Sequence, residues 1–175
     1  ISTFHYGVDL FDTKNKCFTH YNNQTLPSLC SNKTWTIMDD GEGHLYIGHA
    51  GFGMSILSLA NNTVKNYMNS PWKSNSIPGN DVRCIYKDTH GNIWIGTEKG
   101  LSIFDDKKEE FIVPSHLPQE LRNSYVFDIY QTDDDKLWIG TELNGIFIID
   151  LKRDFLRPLE KEMNIEHIIT SDNIN

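Results

Sequence analysis

Three stretches of the chain repeat one twelve-residue phrase: Ile37-Met-Asp-Asp-Gly-Glu-Gly-His-Leu-Tyr-Ile-Gly48, Ile85-Tyr-Lys-Asp-Thr-His-Gly-Asn-Ile-Trp-Ile-Gly96 and Ile129-Tyr-Gln-Thr-Asp-Asp-Asp-Lys-Leu-Trp-Ile-Gly140. Gly48 and Gly96 lie 48 residues apart, and Gly96 and Gly140 lie 44 apart. A second phrase follows each copy, as Gly53-Met-Ser-Ile-Leu, Gly100-Leu-Ser-Ile-Phe-Asp and Gly145-Ile-Phe-Ile-Ile-Asp, and it occurs once more near the start as Gly7-Val-Asp-Leu-Phe-Asp12. An apolar position comes ten or eleven residues later in each copy, at Phe18, Val64, Phe111 and Phe155. A repeat at this spacing fixes the architecture before any single strand is assigned.

Each copy reads as four short strands, apolar runs or alternation bounded by Gly, Asn and Asp turns. In the second copy these are strand A at 82–86, strand B at 93–96, strand C at 101–104 and strand D near 111–113. Gly43 and Gly91 close the A–B hairpins, where a positive φ costs glycine nothing; Asp135 stands there in the third copy and is less comfortable. Residues 119–123 and 160–166 suit single turns. A four-stranded unit of this length is a β-propeller blade, whereas solenoid repeats are shorter. The fold class is therefore all-β, a partial β-propeller of about 3.5 blades, each of four antiparallel strands. Tyr46, Trp94 and Trp138 belong between neighbouring blades, and Gly48, Gly96 and Gly140 allow the sheets to approach closely.

The register divides the chain into the back half of a blade at 1–33, blades at 34–81, 82–125 and 126–173, and the start of another strand A at 174–175. A closed propeller needs about four to eight blades, and an open arc leaves two unpaired edges. The expectation is an arc completed by further blades of a longer polypeptide or by a second copy of the chain.

The 175 residues carry a formal net charge of −8, which argues against nucleic acid or an anionic membrane surface as partner. No apolar run reaches the roughly 20 residues of a membrane span, and no secretory leader opens the sequence. Cys17, Cys30 and Cys84 lack zinc spacing and cannot all pair with one another; Cys84 suits a small core position. The Asp39-Asp40 and Asp133-Asp134-Asp135 runs fall in A–B turns and miss the calcium-loop spacing. His44 and His49, at the two ends of a strand, stand too far apart for one zinc site without help from His5 or His20. No nucleophile elbow or phosphate-cradling loop occurs, and Asp88 and Gly91 are one residue too far apart for a sialidase Asp-box. The expectation is no catalytic residue, no metal and no cofactor.

Residues 85–101, with the pattern Ile-x-x-Asp-x-x-Gly-x-Ile-Trp-Ile-Gly-Thr-x-x-Gly-Leu, resemble the two-component regulator propeller repeat. Residues 129–149 fit the same pattern, and 37–57 fit it with Tyr46 and His49 at the Trp and Thr positions. The segment Phe18-Thr-His-Tyr21 resembles the family's last strand. The resemblance implies a place in the periplasmic sensor region of a hybrid two-component system histidine kinase, of the kind found in gut Bacteroidetes such as Bacteroides. There, tandem propellers that sense polysaccharide fragments precede an immunoglobulin-like domain, a membrane helix and a kinase. It thus implies a non-catalytic sensor segment contributing to oligosaccharide sensing and signal transduction. A protein-interaction scaffold without a small ligand, and a propeller lyase or hydrolase, are the alternatives.

Topology locates a binding face. In an antiparallel A-B-C-D sheet the B–C loops and the D-to-A linkers emerge at one end, and the linkers are the long, dissimilar connections on which recognition usually resides. The candidate ligand contacts are Phe4, Tyr6, His49, Phe52, Glu98, Lys99, Glu142 and Asn144 from the loops, and Trp72, Lys73, His116, Arg122 and Tyr125 from the linkers. Trp72 either stacks on a sugar ring or plugs the gap between blades.

Overall fold

A computed structural model describes residues 1–115 and 117–152 together with the strand at 165–169. The described strands form four antiparallel sheets in chain order. The first contains β1 (Ser2–Thr3), β2 (Gly7–Asp12) and β3 (Cys17–Tyr21). The second contains β4 (Thr34–Asp39), β5 (His44–His49), β6 (Met54–Ser58) and β7 (Thr63–Tyr67). The third contains β8 (Val82–Lys87), β9 (Ile93–Thr97), β10 (Gly100–Asp105) and β11 (Glu110–Ile112). After a single helical turn, α1 (Gln119–Arg122), the fourth contains β12 (Val126–Gln131), β13 (Lys136–Thr141), β14 (Ile146–Asp150) and β15 (Ile165–Ile169). The architecture is a partial β-propeller, with its blades meandering from strand A outward to strand D.

One expectation is corrected in the fourth sheet. Strand D was expected around Phe155, with a turn spanning 160–166, yet the strand that pairs with β14 is β15, which already includes residues 165 and 166. Residues 153–164 lie outside the described residues. The run Ile165-Glu-His-Ile-Ile169 offers β14 an uninterrupted set of N–H donors.

The core is a series of seams between sheets. Val8, Tyr21 and Leu29 meet Leu45, Ile47 and Leu57 at the first seam. Tyr46 and Met54 meet Val82, Ile85, Ile93 and Ile95 at the second. Cys84, Trp94 and Leu101 meet Val126, Ile129, Leu137 and Ile139 at the third. Trp94 is fully buried there, and removing an aromatic side chain of that size from water stabilises by about 2–3 kcal/mol. Burial, followed by the charge of Asp128, pushes the Cys84 thiol up to about 12, as suits an inert core residue.

The glycine after each strand-B aromatic explains how tightly the seams close. A Cβ on Gly48 would come within 2.6 Å of the Val82 carbonyl oxygen in the next sheet. A Cβ on Gly96 would come within 2.7 Å of Val126 Cγ1, again in the next sheet. At Gly140 the nearest atom is 3.9 Å away, the Asp128 carbonyl oxygen of its own sheet. Trp138 on the same sheet is half-buried, unlike Tyr46 and Trp94. Its Nε1 has no hydrogen-bond partner.

Candidate functional site on the strand-A bulges

Strand A of each four-stranded sheet carries a register irregularity at the same place. The ladder skips between Thr34 and Thr36, between Val82 and Cys84, and between Val126 and Asp128. A bulge inserts one unpaired residue and re-aims its side chain. The inserted residues are Trp35, Arg83 and Phe127, on three successive blades.

Their side chains meet. The Arg83 guanidinium carbon lies 4.0 Å from the centre of the Trp35 ring and 5.4 Å from that of Phe127. Phe4, from the turn between β1 and β2, sets its ring 4.7 Å from Trp35. Tyr125 sets its ring 4.8 Å from Phe127. The result is a row, Phe4–Trp35–Arg83–Phe127–Tyr125, crossing all four sheets at the end where loops and linkers emerge. Phe4, Trp35 and Phe127 are 39%, 37% and 40% exposed, so the rings present surface to solvent. Cation–π contact of this kind contributes about 0.5–2 kcal/mol and fixes the Arg83 stem.

Polar groups hold the row in place. Trp35 Nε1 donates to Asp81 Oδ1 at 2.6 Å. Burial, then hydrogen bonding to Asp81, raises the pKa of the Tyr125 hydroxyl above that of a free tyrosine. Glu98 accepts from the backbone N–H groups of Asn80 at 3.1 Å and Asp81 at 2.9 Å, which anchors the linker that carries Asp81.

The residues expected to bind ligand fare unequally. Phe4 and Tyr125 belong to the row, and Glu98 supports it. His49 does not face a ligand: it is fully buried at the end of β5. Its Nε2 lies 2.8 Å from Ser55 Oγ, whose own proton goes to Asn66 Oδ1 at 2.7 Å, so the imidazole is the donor. Burial pulls its pKa down to about 4, the Lys33 backbone opposing this only in part, and Nδ1 has no hydrogen-bond partner. In the equivalent places Thr97 and Thr141 donate to the carbonyls of Gly100 and Gly145 across the B–C turn. A histidine is too large to cap that turn and reaches sideways instead. Arg122 also turns away, donating to the carbonyls of Leu117 at 2.9 Å, Pro114 at 3.2 Å and Ser115, and so closing its own linker. Asn144 donates to Ser124 Oγ at 2.6 Å.

Tyr6, Phe52, Lys99 and Glu142 are exposed on the loops. Trp72 is 95% exposed and plugs no gap. It stands with the exposed Lys73 on the outer half of the linker, where the Asn75 carbonyl accepts from Phe111 N at 3.0 Å, and among the described residues no contact joins it to the row. His116 lies outside the described residues. Trp35, Arg83, Phe127 and Asp81 were not singled out in the sequence. The signal available was a shared repeat position holding Trp, Arg and Phe between a fixed apolar residue or threonine and a fixed isoleucine.

The acidic turns at the opposite end are structural. Asp88 is buried and takes four donors: His90 N at 2.9 Å, Asn92 N at 2.8 Å, Asn92 Nδ2 at 2.8 Å and Trp94 Nε1 at 2.8 Å. Asp40 similarly accepts from the N–H groups of Glu42 at 2.7 Å and His44 at 3.0 Å. Asp135, at φ 70°, joins Gln131 to His90 across the third seam. Among the described residues no group of three or more His, Cys, Asp or Glu side chains is placed to hold a metal ion.

The family model for the two component regulator propeller matches residues 76–99 and 120–143, each running from a linker through strands A and B. The chain carries two-component regulator propeller repeats. These repeats contribute Arg83, Phe127 and Tyr125 to the row. Among solved structures, the chain is similar to the extracellular domain of the hybrid two-component system BT3049 of B. thetaiotaomicron, with 46% identity and a TM-score of 0.75 over 98% of this chain and 20% of that one. It shares the fold of the extracellular domain of BT4673 from the same organism, with 20% identity and a TM-score of 0.66 over 95% of this chain and 22% of that one. The chain thus spans about one fifth of the length of these extracellular domains. No curated protein matches it. Among the described residues no helix is long and apolar enough to cross a membrane.

Proposed function

We propose that this chain is a non-catalytic segment of a periplasmic sensor propeller of a hybrid two-component system, and that its bulge row binds an oligosaccharide. The observation that carries the reading is the row itself: four aromatic rings and a guanidinium from successive blades, part-exposed at the loop end. Aromatic faces stack on the C–H faces of sugar rings, while Asp81, Arg83 and backbone groups supply hydrogen bonds to hydroxyls. Similarity to extracellular domains of hybrid two-component systems supports the sensor role. A ligand binding one ectodomain arrangement better than another would shift the equilibrium that a distant kinase reads.

The uncovered sheet faces support a ring completed by further blades of the same polypeptide or by a second copy. Phe11 and Phe18 on the first sheet and Tyr130 on the fourth are exposed, whereas Leu57 and Phe111, which match Phe11 and Phe18 in the repeat, are buried. The test is titration of the chain with a panel of oligosaccharides by calorimetry, comparing Trp35→Ala with the unaltered protein. Binding that is lost in the variant supports the reading. Binding that is unchanged, or no binding to any oligosaccharide, overturns it.

A further inference from the structure

Arg83 interacts with the row through its delocalised charge, which leaves its N–H donors to be accounted for. Among the described residues they have no carboxylate or carbonyl partner. This contrasts with Arg122, whose donors are committed to three linker carbonyls. Arg83 as a residue is half-buried, its guanidinium lying between the Trp35 and Phe127 rings.

The neighbouring carboxylates are not its partners. Asp81 accepts from Trp35 Nε1 and acts on the Tyr125 hydroxyl. Glu98 takes two backbone N–H groups. Asp128, next to Phe127 and exposed, accepts from the N–H of Ile129 at 2.9 Å. Each of these acids has donors of its own, while among the described residues the planar fork of Arg83 has no carboxylate or carbonyl acceptor. A guanidinium matches a carboxylate with two parallel hydrogen bonds, a geometry that neutral hydroxyls do not reproduce.

We propose that the row is selective for an acidic sugar, a hexuronate residue of an oligosaccharide whose carboxylate is received by Arg83 while its ring lies on Trp35 or Phe127. This deepens the carbohydrate reading above and rests on it. Charge-assisted pairing of this kind corresponds to a preference of about tenfold or more over a neutral counterpart.

The test is calorimetry on the full chain with uronate oligosaccharides from pectin, alginate and glucuronoxylan, each beside its carboxyl-reduced form. The expected result is that a charged oligosaccharide binds about tenfold or more tightly than its reduced partner. Arg83→Gln brings the two within about threefold of each other, and Arg83→Lys recovers only part of the preference because a point charge lacks the fork. A salt titration of the unaltered chain needs no variant: affinity for the charged form falls with ionic strength and that for the reduced form does not. Equal binding of the two forms, or a preference that survives Arg83→Gln, overturns the uronate proposal and leaves the carbohydrate reading standing. Absence of binding by every charged and reduced oligosaccharide overturns both.

Discussion

Arg83 and Trp35 occupy the same bulge position on adjacent blades, 48 residues apart in sequence and 4.0 Å apart between guanidinium carbon and ring centre. Their contact joins two blades at the loop end without taking part in the apolar seam beneath. The proposed binding row and the folding seams therefore draw on different residues of the same strands, and substitutions should separate them.

Trp35→Ala is expected to weaken oligosaccharide binding by about 2 kcal/mol, roughly thirtyfold, as for a central aromatic contact. Trp72→Ala should leave affinity within about twofold, since no contact ties that ring to the row. Calorimetry of both variants against one oligosaccharide checks the contrast. A larger loss from Trp72→Ala would move the site to the outer linker.

Gly96→Ala should destabilise the fold by about 1–3 kcal/mol, because the added methyl group collides with Cys84 and Val126. Gly140→Ala should cost well under 1 kcal/mol, its nearest neighbour being 3.9 Å away. Thermal melts compare the two directly, at roughly 2–4 °C per kcal/mol for a chain of this size. Equal effects would contradict the seam geometry.

Asp88→Ala leaves Trp94 Nε1 and two turn N–H groups without their acceptor, and a loss of about 2–4 kcal/mol is expected. Thr132 stands at the Asp88 position of the next repeat, and Trp138 Nε1 is buried there without a partner. Thr132→Asp should therefore stabilise by about 1 kcal/mol, read as a raised denaturation midpoint. An unchanged or lowered midpoint would count against the comparison of the two turns.

His49 gives the fold an acid-sensitive component. Its folded pKa, about 4, lies below the usual 6.5, so the unfolded chain binds the extra proton first as pH falls. The neutral buried imidazole contributes its full share of stability above pH 6.5. That share is lost progressively down to about pH 4, and amounts to about 3 kcal/mol. Asp40 titrates at lower pH: burial tends to raise its pKa, but the N–H groups of His44 and Glu42 and the His44 ring hold it below the ordinary aspartate value. His49→Thr, which restores the residue found at positions 97 and 141, should flatten the limb between pH 6.5 and 4 in denaturant melts. A limb that persists in the variant would assign the effect elsewhere.

The blade architecture was legible because folding imposes sameness. Gly48, Gly96 and the Tyr46 and Trp94 positions recur where one sheet must fit another, and recurrence is what comparison of repeats detects. The site was legible only in part, for the opposite reason. Trp35, Arg83 and Phe127 share a position but not a chemistry, and the bulge that aims them is a matter of backbone register with no residue signature of its own. His49 misled because its position lies at the mouth of a loop, whereas its side chain turns back under the strand. Strand β15 was placed too early because spacing was carried over from the shorter connections of the other repeats.

The bulge recurs in strand A of each of the three four-stranded sheets, and its occupant touches its neighbours through one side chain only. On the function proposed above, a propeller built on this plan changes what it recognises by exchanging a single residue in each strand A, while the seams that keep it folded stay as they were. Selectivity in such a ring would be modular, with new specificities drawn from residues already compatible with the scaffold.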